Sequence, residues 1–236
     1  MIVVAAIAAA VAALTHLAPF PGLLEVGYRK DSLWKADGNA RVVYLTFDDG
    51  PNPTATPALL DTLKAKGVQA TFFVIPAHVT PETAPLLIRM RDEGHAVAQH
   101  TGARWLFLLP PGAMARRLDR DADHVEKLTG FRPSRIFRPH AGWRSVAMLE
   151  GLKRRGYRMA GWSWMSWDWY WFKARTGERV ARQVAGHASP GQIVVIHDGH
   201  HANPRADRQY AVDAAALLID TLRAKGYGFA TLPDAP

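Results

Sequence analysis

The sequence predicts an α/β protein built as a distorted (β/α) barrel of about seven parallel strands, and two observations predict it. Short β-branched and aromatic runs alternate with helix-spaced segments along most of the 236 residues, and strands separated by helices pair in parallel. Polar residues also stand at or just beyond the carboxyl ends of several strands: Asp48-Asp49, His100, Arg138, Asp168 and His197. In a β/α barrel those ends converge on one face, where active sites are built.

Each element follows from local chemistry. Val42 to Phe47 is a buried-strand run stopped by Asp48-Asp49-Gly50-Pro51. Thr56 to Lys66 sets Leu59, Leu60 and Leu63 at helical spacing, and Gly67 closes it. Ala70 to Ile75 is the next strand, ended by Pro76; Pro81 to Asp92 is a helix closed by Gly94; His95 to His100 is a short strand. A helix over Pro111 to Leu128 leads to a strand at Ile136 to Arg138, ended by Pro139. Helix Val146 to Arg155, strand Tyr157 to Trp164, helix Arg175 to His187 and strand Gln192 to His197 follow, then helix Tyr210 to Lys225 and a last strand at Phe229 to Leu232.

Composition narrows the function. The length suits one large domain, residues 41–236. A hydrophobic share of 48% with 21% charged residues excludes a disordered chain. The chain has no cysteine, which excludes disulfides, thiolate metal sites and a cysteine nucleophile, so any metal must be held by His, Asp, Glu or water. A net charge of +8 draws the chain towards an anionic cell-wall polymer or lipid headgroup layer, or reflects an arginine-rich solvated surface. Nucleic acid is set aside, because Arg116-Arg117 and Lys153-Arg154-Arg155 lie on predicted helices rather than in a binding motif.

Residues 1–40 read as an apolar segment and a linker. Ile2 to Leu14 is uncharged and apolar, too short to span a bilayer securely. It fits a signal-peptide core or a membrane anchor, which implies export or anchoring outside the cytoplasm at the cell envelope. A buried helix of the domain competes with that reading: no basic residue precedes the run, and no small-x-small cleavage site comes before Pro19-Phe20-Pro21.

The chemistry centres on the strand ends. Asp48 and Asp49 are adjacent carboxylates at a turn, where one can bind a metal and the other act as a base; an Asx turn before Gly50-Pro51 is the competing reading. His100 can ligate a metal through a neutral imidazole. His197 ends a hydrophobic strand aimed at the barrel mouth, and a histidine there can protonate a leaving amine. A metal would activate water and polarise a carbonyl. Five of the eight tryptophans fall between Trp162 and Trp171. Trp162 and Trp164 suit strand packing, whereas Trp169 and Trp171 suit a sugar-binding groove.

These motifs resemble the polysaccharide deacetylase family, the NodB-like carbohydrate esterases. Thr46 to Pro51 matches the family's TFDDGP, and Ala70 to Val74 its second strand. Gly94-His95 through His100-Thr101 is similar to its GHxxxxHT segment, Phe137-Arg138-Pro139 to RPP, Trp167-Asp168-Trp169 to its DW element and Ile196-His197-Asp198 to LHD. The resemblance spans roughly residues 41 to 232. It implies that Asp48 is the catalytic base, Asp49 and His100 are ligands of zinc or another divalent metal, Arg138 orients the base, Trp169 lines the acyl pocket and His197 is the general acid.

The chain departs from the family's pattern at three places. The second metal histidine of H-[ST]-x-x-H is replaced by Arg104, and a guanidinium has no lone pair to give a cation. A third ligand must then come from His140, His200 or His201; otherwise the ion binds weakly through Asp49, His100 and water. Alternatively the site holds no metal, and Arg104 serves as a fixed cation for a substrate anion or simply faces solvent. Met165 stands where an acidic residue is usual, and His140-Ala141-Gly142 replaces Pro-Tyr-Gly. Trp169, Arg104, Pro139 and His140 are the substrate-facing candidates. The expected activity is removal of N-acetyl, or O-acyl, groups from amino-sugar glycans that are chitin-like or peptidoglycan-like. Deformylation or deacetylation of a lipid-linked amino sugar, and a metal-free sugar-binding barrel, are the other two readings.

Overall fold

The computed structural model describes residues 2–17, 23–36, 40–166, 168 and 176–234. Seven strands run parallel in one curled sheet: β2 (Val42–Asp48), β3 (Thr71–Val74), β4 (Ala96–His100), β5 (Ser134–Arg138), β6 (Arg158–Ala160), β7 (Trp164–Met165) and β8 (Gln192–His197). The spatial order is β6-β5-β4-β3-β2-β8-β7; β1 (Ser32–Leu33) extends it beyond β6, and β9 (Gly228–Phe229) pairs with β2. The two ends of the sheet approach each other. Lys35, just after β1, forms an antiparallel bridge to Gln192, and Ser163 N donates to Ile193 O at 3.0 Å. The barrel and its parallel order are as the alternating sequence pattern predicts.

Strand parity decides which side chains meet. Val43, Leu45 and Phe47 of β2 and Val194 and Ile196 of β8 pack outward with Leu59, Leu60 and Leu63 of α3 (Thr56–Lys66) and Leu218 and Leu222 of α8 (Gln209–Ala224). The alternate residues point inward, where Phe73, Ala98, Ile136 and Ile193 form a second apolar cluster with Tyr44 against it. Successive side chains of a strand face opposite ways. Asp48, His100, Arg138 and His197 therefore share the inner face with Tyr44, Ala98, Ile136 and Ile193, each an even number of residues away.

The remaining helices are α1 (Ile2–Leu17), α2 (Leu23–Tyr28), α4 (Ala84–Asp92), α5 (Pro111–Thr129), α6 (Val146–Lys153) and α7 (Gly177–Gly186). The cores of α4 to α7 match the predicted segments, and the differences have local causes. The helix expected from Pro81 starts at Ala84, after a turn in which the Thr83 hydroxyl donates to His78 O at 2.7 Å. The strand expected over Tyr157 to Trp164 is broken into β6 and β7. Residues 161–163 carry the chain from pairing beside β5 to pairing beside β8. At this step a Cβ on Gly161 would lie 2.2 Å from the Trp34 ring, and Trp162 stands edge-on to Trp34 at 5.8 Å.

The linker reading of residues 15–40 is corrected in part. Residues 32–35 join the sheet, and Leu33 packs inside the barrel, because the exposed edge of β6 accepts a further short strand. α2 docks through Leu24 and a buried ion pair, in which Arg144 Nε donates to Glu25 Oε1 at 2.6 Å and Nη2 to Oε2 at 3.0 Å. α1 differs from a core helix: Ile2 is 87% exposed, and Val3, Val4 and Ile7 are exposed too. Among the described residues no helix is long and apolar enough to cross a membrane.

Removing one member of a buried ion pair leaves the other charge desolvated. Glu25→Gln should lower unfolding stability by about 3 kcal/mol, read as a fall in the urea midpoint. An unchanged midpoint would show that α2 contributes nothing to the barrel.

Candidate active site

The inward carboxylate of Asp48 is held by a guanidinium from the opposite wall. Arg138, fully buried on β5, donates from Nη1 to Asp48 Oδ1 at 2.5 Å and to Thr46 Oγ1 at 2.7 Å, and from Nη2 to Gly161 O at 2.8 Å. Its cationic face lies 3.8 Å from the centre of the Phe73 ring. The usual acidic partner is absent at Met165, so two carbonyls, Ala160 and Gly161, and the Thr46 hydroxyl complete the contacts of Arg138 with Asp48. One oxygen of Asp48 is thus committed. The other, Oδ2, lies 4.0 Å from His100 Nε2.

Asp49 turns out of the strand at φ 70°, a left-handed conformation that aspartate tolerates better than most residues. The turn sends its carboxylate away from that of Asp48 and towards His100, whose Nε2 lies 3.3 Å from Asp49 Oδ1. Oδ1 is buried without a hydrogen-bond partner. Burial opposes ionisation of Asp49, but His100, with His197 and His140 farther off, holds the carboxyl well below the usual carboxylate range. The other nitrogen of His100, Nδ1, contacts Arg138 O at 2.7 Å. Donation to that carbonyl fixes the ring and leaves Nε2 facing the carboxylates. Burial resists charging His100, while Asp48 and Asp49 outweigh it and raise its pKa.

His140 completes the group. Buried Pro139 opens the short turn His140–Gly142, which bends through Ala141 at φ 49°. Asp49, His100 and His140 each offer one donor atom within 4.8 Å of the other two. Ligand atoms ~2.0–2.2 Å from a shared tetrahedral ion lie roughly 3.3–3.6 Å apart, so the three would draw together by up to about 1.5 Å around one. His140 Nδ1, like Asp49 Oδ1, is buried with no hydrogen-bond partner. Burial, with the neighbouring His100, pulls the His140 pKa down to about 4, so the ring is neutral. Two orphaned donor atoms and an oxygen–nitrogen–nitrogen set fit a divalent cation. Of the other candidates, His200 Nδ1 already accepts from Ala202 N and Asn203 N, both at 3.1 Å. The His201 ring stands edge-on to His140 at 5.0 Å. Arg104 does not simply face solvent, for its Nε donates to His140 Nε2 at 3.3 Å.

His197 faces the group from β8, in direct register with Asp48. Asp168 accepts from His197 N at 2.8 Å and pairs with His197 Nδ1 at 3.0 Å. Ser166 and Tyr210 hold Asp168 in turn, through 3.1 Å and 3.2 Å hydrogen bonds. Burial alone would keep His197 neutral, but Asp168, aided by Asp49 and Asp48, pushes its pKa up to about 9. The sequence offers Asp168 only as a strand-end residue within the Asp-Trp element; its pairing with His197 comes from the fold. Trp169 and Trp171 lie outside the described residues.

Asp198 closes the floor. It is buried beside Gly50, and its Oδ2 accepts from Thr56 Oγ1 at 2.5 Å. Burial, reinforced by the charges of Asp48 and Asp49, pushes its pKa up to about 7 against the Thr56 bond. Asp198 is a further buried acid whose role the sequence did not disclose. The loop after β8 presses so close that a Cβ on Gly199 would lie 2.1 Å from Asp49 O.

A water that must lose a proton on one side, and a leaving group that must gain one on the other, are served by this pairing of carboxylate and charged imidazole. The class is that of hydrolases acting on acyl bonds. The family model described as polysaccharide deacetylase matches residues 35–160. A peptidoglycan-N-acetylglucosamine deacetylase of Bacillus cereus is 32% identical over 205 residues, covering 85% of this chain and 91% of its own. A chitooligosaccharide deacetylase of Bradyrhizobium is 34% identical, over 82% of this chain and 90% of its own. A crystal structure of a peptidoglycan N-acetylglucosamine deacetylase superposes with a TM-score of 0.76 at 26% identity, covering 88% and 94% of the two chains. This chain belongs to the polysaccharide deacetylase family. It is a hydrolase of carbon–nitrogen bonds other than peptide bonds.

Two outcomes test the geometry. Gly199→Ala must displace the Asp49 carbonyl, so it should destabilise the fold by about 2 kcal/mol or more, measured by denaturant unfolding; a neutral result would mean the loop is not pressed against Asp49. In chelated protein, His197 has a pKa raised from the ordinary 6.5 to about 9. Its pairing with Asp168 therefore stabilises fully below pH 6.5, and that stabilisation is lost as pH rises through about 9. Thermal unfolding across pH 6 to 10 should show this decline, and Asp168→Asn should flatten it.

Proposed function

We propose that this chain removes N-acetyl, or alternatively O-acyl, groups from amino-sugar glycans of the cell envelope, by general acid–base catalysis assisted by a divalent cation at Asp49, His100 and His140. One observation carries the reading. Asp48 and His197 are register partners on neighbouring parallel strands, one carboxylate fixed by Arg138 and one imidazole kept charged by Asp168.

The division of labour follows from which atoms are already engaged. Oδ1 of Asp48 is tied to Arg138, so Oδ2 is the oxygen left to take a proton from the attacking water. Nδ1 of His197 is tied to Asp168, so Nε2 is left to give a proton to the departing nitrogen, the arrangement in which a carboxylate orients a catalytic imidazole. When bound, a divalent ion, zinc by the family resemblance, would lower the pKa of the water and polarise the acyl carbonyl. Asp49, ionised and buried, and His100, fixed by the Arg138 carbonyl, supply ligands that need little rearrangement.

The relatives' names direct the substrate reading to peptidoglycan-like or chitin-like glycans. A lipid-linked amino sugar is the second reading, favoured by the exposed apolar residues Ile2, Val3, Val4 and Ile7 and the net charge of +8. Both readings place the protein outside the cytoplasm, exported or held at the membrane surface through the N-terminal segment.

The deciding assay is acetate release from chito-oligosaccharides and peptidoglycan fragments, and formate or acetate release from a lipid-linked amino sugar, with zinc and with chelator. Zinc-dependent release is expected. Asp48→Asn should lower the rate at least about a hundredfold while leaving zinc affinity unchanged. A normal rate in that variant removes Asp48 from the base role. Sugar binding without release under any metal would leave a non-catalytic binding barrel.

A further inference from the structure

The contact between Arg104 and His140 has a consequence for metal binding. A neutral imidazole has one lone pair and one N–H. Arg104 Nε donates to His140 Nε2 at 3.3 Å, and that bond uses the lone pair. The proton must then sit on Nδ1, which is buried and has no hydrogen-bond partner. A ligand to a cation must give its lone pair to the ion instead. If Nδ1 binds the ion, Nε2 carries the proton and faces the Arg104 N–H donor to donor. If Nε2 binds the ion, the Arg104 N–H loses its acceptor on His140. Either way, the guanidinium and the ion cannot both be served.

We propose that Arg104 competes with the divalent cation for the single lone pair of His140, so that His140 enters the metal shell only when the guanidinium leaves it. The inference rests on the reading that Asp49, His100 and His140 hold the ion. Two further observations make the exchange feasible. Arg104 begins an exposed short helical turn, Arg104–Leu108, whose Trp105 is 54% exposed and Leu108 70% exposed, so the guanidinium has solvent to swing into. Among the described residues Arg104 makes no ion pair within 4.0 Å, so no carboxylate anchors it against His140. The arrangement turns the residue that replaces a ligand into one that withholds another.

The test measures zinc affinity by calorimetry against a competing chelator, in the full chain and in Arg104→Ala, His140→Ala and the double variant. Arg104→Ala should bind zinc about tenfold more tightly, equivalent to about 1.4 kcal/mol, and this gain should vanish in the His140→Ala background. In 15N-labelled metal-free protein, His140 should show the Nδ1–H tautomer, and zinc should move it out of that form; this reading needs no variant. Equal affinity in the full chain and Arg104→Ala would overturn the inference. So would a gain of the same size without His140, which would mean the guanidinium acts through its charge alone. Absence of zinc binding in every protein would instead defeat the metal reading, and the inference with it.

Discussion

The site depends on a guanidinium buried inside the barrel. Arg138 reaches from β5 across the interior to Asp48 and Thr46 on β2, with β3 and β4 between the two strands in the sheet. A buried charge is tolerated only when its hydrogen bonds and counter-charge are supplied. Arg138 finds both, from one carboxylate, one hydroxyl and the carbonyls of residues 160 and 161. Those carbonyls lie where the chain leaves β6 for β7. One side chain therefore links Asp48, the central strand and the bend that curls the sheet, and its own backbone carbonyl orients His100.

The two flanking groups are set by separate means. Asp49 needs an unusual backbone conformation to turn from Asp48, and the chain allows it because Gly199 lets the neighbouring loop lie against its carbonyl. His197 needs a partner to remain charged when mostly withdrawn from water, and Asp168 supplies it from the far side of β8. Electrostatic roles are divided in this way: one carboxylate is spent on Arg138, one faces His100 and His140, and one stays with His197. Asp48, Asp49, Asp168, His100, His140 and His197, gathered at one barrel mouth, are kept from neutralising one another indiscriminately, because their contacts lie on different sides.

Much of this was open to reading from the chain. Alternating strands and helices sufficed for a parallel barrel, and strand parity places Asp48, His100, Arg138 and His197 on one face. The replacement of a ligand histidine by Arg104 was equally plain. The partners of those residues were harder to see. His140, His200 and His201 were equivalent candidates in sequence. Only the turn at Ala141 brings His140 to Asp49 and His100, while His200 is engaged with its own loop. Likewise β1 looked like linker, since two residues carry no periodicity, and it becomes a strand only because β6 offers an open edge.

The sequence by itself determined the fold class, the family and which strand-end residues could serve as base and acid, because these rest on short-range patterns: strand composition, period-two alternation and motifs confined to a few residues. Only the tertiary structure decided the third candidate ligand, the service of Asp168 to His197, the burial of Asp198 beneath the site and the Arg104–His140 contact. Each of these joins residues far apart in the chain whose distance is set by the curl of the sheet and the path of its loops, and no local pattern encodes that distance.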